Sequence, residues 1–236
     1  MSEIRRRGSF LSPSPQPEAP NEQDIVEFTQ DNHHFSMIRQ LHMADYITML
    51  NGFCGFMAII QCMRFNETQD TKYIVRAMWC VPLGFFFDVF DGRVARWRKK
   101  ASLMGQELDS LADLISFGVA PASIAFSIGA KSTIDTVLLT IFVLCGLSRL
   151  ARFNVTVANI PKDKSGKSKY FEGTPIPTTL ALVGMMAYWV SKGYINDKLP
   201  LGVLFAGTAL EVHVATFIFS LSGSAMISKS LKLPKL

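Results

Sequence analysis

The sequence predicts an all-α integral membrane protein with six transmembrane helices, preceded by an N-terminal amphipathic interfacial helix. Two observations carry that reading. Hydrophobic residues make up 49% of the 236, and the mean hydropathy is +0.24, high for a water-soluble globule. The apolar residues also gather into six runs of about 20, the length that crosses a hydrocarbon core roughly 30 Å thick. These runs cover 46–64, 74–96, 107–129, 133–154, 175–193 and 209–228.

Taken in order, residues 1–22 open on a basic stretch and turn Pro/Ser-rich with no apolar core, so a disordered tail is expected and not a signal peptide. Ser9 after Arg5-Arg6-Arg7-Gly8 has the pattern of a basophilic kinase site. Residues 23–45 place Ile25, Phe28, Phe35, Ile38 and Leu41 at helical spacings. That stripe suits a helix lying on the membrane surface, or alternatively a soluble cap over the bundle. His33, His34 and His42 have no carboxylate or cysteine at ligand spacing and read as polar-face residues. The membrane domain then covers 46–228, its sixth run interrupted by Glu211 and His213, and residues 229–236 form a basic tail.

The net charge of +5 sits in short basic runs beside apolar stretches, a distribution that orients a membrane protein and argues against a nucleic-acid partner. Lys and Arg collect around 97–104, 155–174 (Lys162, Lys164, Lys167, Lys169) and 229–236, and are sparse at 65–73, 130–132 and 194–200. Both termini are therefore expected on the cytoplasmic side. Asn66-Glu67-Thr68 matches a glycosylation sequon but lies too close to a span for modification to be expected. Cys54, Cys62, Cys80 and Cys145 all lie in apolar runs without paired spacing, so neither a disulfide framework nor a zinc site is indicated.

One stretch breaks the apolar pattern. Asp88, Asp91 and Ala95 share a helix face at the end of the second run, while Gly105, Asp109 and Asp113 share one at the start of the third. A turn over 97–104 brings the two faces together at one membrane depth. Four crowded carboxylates repel one another unless a cation neutralises them, and hard oxygen donors select Mg²⁺, Mn²⁺ or Ca²⁺ over zinc. Gly92 and Gly105 remove side-chain bulk where a phosphate ligand could approach, and Arg96 adds planar donors. An interfacial salt-bridge cluster with Arg93, Arg96, Arg98 and Lys99 is the plain alternative. Four acids in phase favour a site, because ionisable residues within a membrane domain are by default functional.

Asp88, Asp91, Gly92, Ala95, Arg96, Gly105, Asp109 and Asp113 fall in the pattern D-x2-D-G-x2-A-R-x8-G-x3-D-x3-D. This resembles the signature of the CDP-alcohol phosphotransferase family at every fixed position. The stretches "LDSLADLISFGVAPA", "CGLSRLARFNV" and "YFEGTPIPTT" are similar to the serine-using branch, and from about Phe28 to Leu236 the chain looks like its fungal members. The resemblance implies six transmembrane helices, a homodimer, residence in the endoplasmic reticulum membrane, and metal-dependent transfer of a phosphatidyl group from CDP-diacylglycerol to L-serine with release of CMP. It further implies two divalent cations, Mn²⁺ or Mg²⁺, held by Asp88, Asp91, Asp109 and Asp113, with Asp113 also the general base. Gly92, Ala95, Arg96 and Gly105 would line the CDP moiety.

Thr48 and Asn51 share one face near the cytoplasmic end of the first run. They are expected near the nucleotide by the same resemblance, or in core hydrogen bonds. Arg149 and Arg152, three apart at the cytoplasmic end of the fourth run, lie at the depth of the acids. They are candidates for binding the serine carboxylate or the lipid phosphate, with Phe153 and Asn154 shaping the pocket. Snorkelling interfacial anchors are the alternative for both arginines. Glu107 falls on another face from Asp109 and Asp113 and reads as solvated. Within the family, an inositol or glycerol phosphate acceptor would leave the acidic signature unchanged. An ion transporter would instead need acids near the midplane.

Overall fold

The computed structural model describes residues 41, 43–98, 103–159, 170–208, 210–228 and 232–234. The expected tail 1–22, His33, His34, His42, most of the interfacial segment 23–45 and Lys162, Lys164, Lys167 and Lys169 lie outside the described residues.

Within that range the chain is predominantly helical. Four rods are long and apolar enough to cross a membrane: Met43–Thr68, Thr71–Val94, Met104–Ile128 and Thr133–Val155. They belong to α1 (Met43–Thr68), α2 (Thr71–Arg98), α3 (Leu103–Asp113) with α4 (Ala120–Ile128), and α5 (Thr133–Asn159). A π-helical stretch, Leu114–Val119, joins α3 to α4 in one rod. Because α2 runs through Arg98 and α3 begins at Leu103, the turn expected over 97–104 is shorter than the sequence suggested. The fifth and sixth apolar runs form shorter helices, α6 (Thr179–Ser191, entered through a 3₁₀ turn at Ile176–Thr178) and α7 (Thr216–Ile227). At 1.5 Å per residue the 12 residues of α7 reach only about 18 Å. The run expected over 209–228 is thus helical only in its second half, its first half turning through strand β3 (Val212–His213), antiparallel to β2 (Val203–Leu204). A second small ribbon pairs β1 (Tyr170–Glu172) with β4 (Lys232–Pro234).

The bundle is held by apolar packing at its centre and wears apolar side chains outside, as a bilayer requires. Phe65, Phe117, Phe142, Phe219, Ile124 and Met186 are fully buried, whereas Phe53, Phe56, Trp79 and Phe86 are exposed. The Phe142 and Phe219 rings meet edge to face, 5.4 Å apart at 89°. Beside them a Cβ on Gly223 would lie 3.3 Å from the Cys145 Cβ, so α5 and α7 approach over a small residue. Asn66, the sequon residue, donates to Ser127 Oγ at 3.0 Å and is committed to the bundle.

The polar residues that interrupted the sixth run have a structural role. Asp135 is completely buried in the first turn of α5. It accepts from the His213 backbone N–H (3.0 Å), the Thr216 hydroxyl (2.8 Å) and the His213 ring. Ser132 and Asp135 also bond reciprocally across the start of α5, the arrangement of a capping box. One carboxylate therefore ties the start of α5 to the start of α7. Removing one partner of such a buried cluster costs about 3–5 kcal/mol. Asp135→Ala is accordingly expected to lower the unfolding midpoint in detergent by on the order of 10 °C. A shift under about 2 °C would show the cluster to be dispensable.

Candidate active site

Helical periodicity puts three sets of polar residues on facing stripes. α1 offers Asp45, Thr48 and Asn51, α2 offers Asp88 and Asp91, and α3 offers Asp109 and Asp113, each set at a spacing of three or four. α1 packs against both α2 and α3, so the stripes converge. One oxygen from each of Asp88, Asp91 and Asp109 lies within 4.8 Å of the others. Asp113 is buried beside them and in hydrogen-bonding contact with Asp88.

The carboxylates are aimed by α1. The Thr48 hydroxyl donates to Asp91 Oδ2 at 2.6 Å, and Asn51 Nδ2 donates to Asp113 Oδ1 at 3.1 Å. Asn51 is itself fixed from the far side, since the Ser116 hydroxyl donates to its backbone carbonyl at 2.8 Å. Ser116 lies in the π-helical stretch that follows Asp113, a distortion frequent at functional sites. Two glycines make room for this contact layer. A Cβ on Gly55 would stand 2.5 Å from Ser116 Oγ, and one on Gly84 would stand 2.9 Å from Asn51 Oδ1. Thr48 and Asn51, expected near a nucleotide or in core bonds, thus hold the aspartates.

The donor set suits a hard cation. Ca²⁺ and Mg²⁺ take oxygen ligands at about 2.0–2.6 Å, so two ligands of one ion can stand about 5 Å apart at most, and the three carboxylates meet that limit. Asp109 Oδ1 is buried with no protein hydrogen-bond partner. An unpaired buried anionic oxygen is costly, and a cation among these groups would satisfy it.

The second part of the site comes from α5. Arg149 is half-buried, within electrostatic reach of Asp113 and Arg152, and 6.0 Å from the Phe153 ring centroid. Arg152 donates from Nη1 to the Ile227 carbonyl at the end of α7, at 3.4 Å. Ser110 donates to Asn154 Oδ1 at 3.1 Å, and Asn154 Nδ2 donates to Glu107 at 3.4 Å. Asn154 therefore links α5 to α3, and Glu107, exposed as expected, also accepts from it. Gly92 and Gly105 sit on the α2 and α3 ends that carry the acids. Of Ala95 and Arg96 only the helical backbone is described.

Asp45 was not singled out by the sequence reading. It is buried one turn before Thr48 and within electrostatic reach of Asp91, which adds a fifth acid to the cluster. Its spacing of three from Thr48 and six from Asn51 was the available signal.

The family model for CDP-alcohol phosphatidyltransferase matches residues 41–220. The chain is 60% identical over 233 residues to the CDP-diacylglycerol–serine O-phosphatidyltransferase of Saccharomyces cerevisiae, covering 98% of this chain and 84% of that one. It is 36% identical over 167 residues to the Methanocaldococcus jannaschii protein of the same name (71% of each chain). Against the archaetidylserine synthase of Methanothermobacter thermautotrophicus it is 32% identical over 173 residues, 72% of this chain and 66% of that one.

Proposed function

The chain belongs to the CDP-alcohol phosphatidyltransferase family, and on that footing we propose that it transfers the phosphatidyl group of CDP-diacylglycerol to the hydroxyl of L-serine, giving phosphatidylserine and CMP. The observation that carries this reading is the convergence of Asp88, Asp91, Asp109 and Asp113 beside Arg149 in a membrane protein. The similar proteins share serine in their names while the lipid differs, which supports serine as the acceptor.

A serine hydroxyl is a weak nucleophile at neutral pH, so a carboxylate must take its proton. Asp113 suits that role, because Asn51 fixes its Oδ1 from one side. Asp88, Asp91, Asp109 and Asp113 would hold two divalent cations, Mn²⁺ or Mg²⁺, which when bound would supply neutralisation of charge on the pyrophosphate and on CMP. The new bond joins the serine oxygen to the lipid-bearing phosphorus, the bond from that phosphorus to CMP breaks, and the serine proton passes to Asp113. Arg149, facing Asp113, takes the phosphodiester under attack, and Arg152, one turn towards the cytoplasm, takes the serine carboxylate. Phe153 packs under Arg149, Asn154 sets the spacing of α5 from α3, and Gly92, Ala95, Arg96 and Gly105 line the CDP moiety.

Arg152→Lys is therefore expected to raise the serine KM about tenfold or more, as loss of planar paired donors to a carboxylate costs at least 1.4 kcal/mol, with the donor KM unchanged. An unchanged serine KM would remove Arg152 from this role. In the membrane, α6 and α7 together with the segments that lead into them complete six spans, both termini and the acids face the cytoplasm, and the protein works as a homodimer in the endoplasmic reticulum. The function itself is tested by CMP release from CDP-diacylglycerol with serine, inositol and glycerol phosphate offered separately. Release with serine alone supports the proposal, and release with inositol or glycerol phosphate alone assigns the chain to another branch of the family.

A further inference from the structure

The connection from α6 to α7 is built inside out. It carries no Lys or Arg over 199–215, and its large exposed side chains are Leu201 (63%), Leu204, Phe205 (67%) and Leu210 (61%). Its polar groups turn inward instead. His213 is buried against Asp135, the Glu211 carboxylate accepts from the Gly207 backbone N–H at 2.8 Å, and the Thr208 hydroxyl donates to the Phe205 carbonyl at 2.7 Å. We propose that this β2–β3 hairpin is a membrane-contact element that lies in the headgroup–acyl boundary of the leaflet opposite the aspartates, with its apolar tip against lipid. The proposal needs only the membrane-spanning bundle and is independent of the reaction.

Three observations carry it. The first is depth. Between Asp135 and Arg152, α5 rises about 26 Å, against roughly 30 Å for a hydrocarbon core. With Arg152 at one boundary, Asp135 and the β3 strand bonded to it through His213 stand at the other. The same level is marked on neighbouring helices by Lys72 over the Tyr73 ring (5.0 Å) and Lys192 over the Tyr188 ring (5.8 Å), residue types suited to the membrane–water boundary. The second is the backbone. In lipid each backbone N–H needs an internal partner, and the hairpin supplies them. Val203 pairs with His213 and Leu204 with Val212. The N–H groups of Val214, Thr208 and Glu211 donate to the carbonyls of Gly202, Phe205 and Thr208 at 3.1–3.2 Å, and that of Leu210 donates to the Thr208 hydroxyl at 3.3 Å. A connection bathed in water can leave such donors to solvent. The third is conformation. Leu201 (φ 72°) and Phe205 (φ 56°) adopt the left-handed region, where a turn ordinarily places Gly or Asn. Bulky apolar residues offset that strain when their side chains enter an apolar medium.

The test replaces Phe205 with p-benzoylphenylalanine in the full-length protein, reconstituted in phosphatidylcholine nanodiscs and irradiated. The same replacement at Trp79, exposed on α2, reports ordinary lipid contact. The expected result at position 205 is a phosphatidylcholine adduct, seen by mass spectrometry, several-fold more abundant than any cross-link to a second copy of the chain. Predominant cross-linking to a second copy overturns the proposal and makes the tip an interface between copies. Recovery of unreacted benzophenone at 205, while position 79 reacts, overturns it in favour of a tip in water. Should the variant at 205 fail to fold, the replacement at Leu210, exposed beside it, is read in the same way. Access from water supplies a second measurement. Phe205→Cys is expected to react with a membrane-impermeant maleimide several-fold more slowly than Glu67→Cys, whose parent residue is exposed near the end of α1. Equal rates at the two positions would also overturn the proposal.

Discussion

Asp113→Asn is expected to lower serine-dependent CMP release by about a thousandfold, within the 10²–10⁴ that a positioned general base contributes. The substitution keeps the shape of a buried side chain, so packing around Ala112 and Ser116 is preserved. It removes the only group in the cluster that is both held by an amide donor and adjacent to Arg149 among the described contacts. The amide cannot accept the serine proton at neutral pH. Because Asp113 also borders the proposed ions, manganese binding by electron paramagnetic resonance should accompany the assay. The expected pattern is a large fall in kcat with a smaller loss of manganese affinity than Asp109→Asn causes. Retention of activity to within about tenfold would assign the base elsewhere.

The second large effect is expected at two residues that touch no substrate in this account. Thr48→Val removes the 2.6 Å bond to Asp91 at nearly constant volume, and Asn51→Ala removes the 3.1 Å bond to Asp113. Partners that orient ligating carboxylates are typically worth 10–100-fold in metal affinity or activity. Thr48→Val should weaken manganese binding by about that factor, while Asn51→Ala should act chiefly on kcat, since its partner is the base. Thr48→Ser, which restores the hydroxyl, should recover most of the loss. If Thr48→Val binds manganese as the unaltered protein does, α1 does not orient the cluster.

The fold and the site were legible in the sequence to different degrees. Periodicity within one helix was readable: Asp88 with Asp91, and Asp109 with Asp113, follow from spacings of three and four. The long rods α1, α2 and α5 follow from uninterrupted apolar runs. Beyond the convergence of the two acidic faces, what crosses between helices was not readable. Whether Thr48 meets a nucleotide or Asp91 depends on how closely α1 approaches α2, which Gly84 helps to set through contacts with Asn51 and Cys54 that are invisible in one dimension. Glu107, on another face from Asp109 and Asp113, is exposed as expected, and its added contact with Asn154, 47 positions away, is one that spacing within a helix cannot show. His213 looked like an interruption of the sixth run, and with Asp135, 78 positions away, it forms a tie between two helix starts. The shortness of α7 has the same origin, since the chain spends residues 212–213 on a strand pair before entering the helix.

The most direct test of the central claim, that the converging aspartates form a cation-dependent site for phosphatidyl transfer to serine, is CMP release by purified protein stripped with chelator and then titrated with Mn²⁺ or Mg²⁺ in the presence and absence of L-serine. Release is expected only when both a divalent cation and serine are present, returning on addition of the ion and absent in Asp109→Asn. Release that persists in chelator, or that proceeds equally in Asp109→Asn, would contradict it.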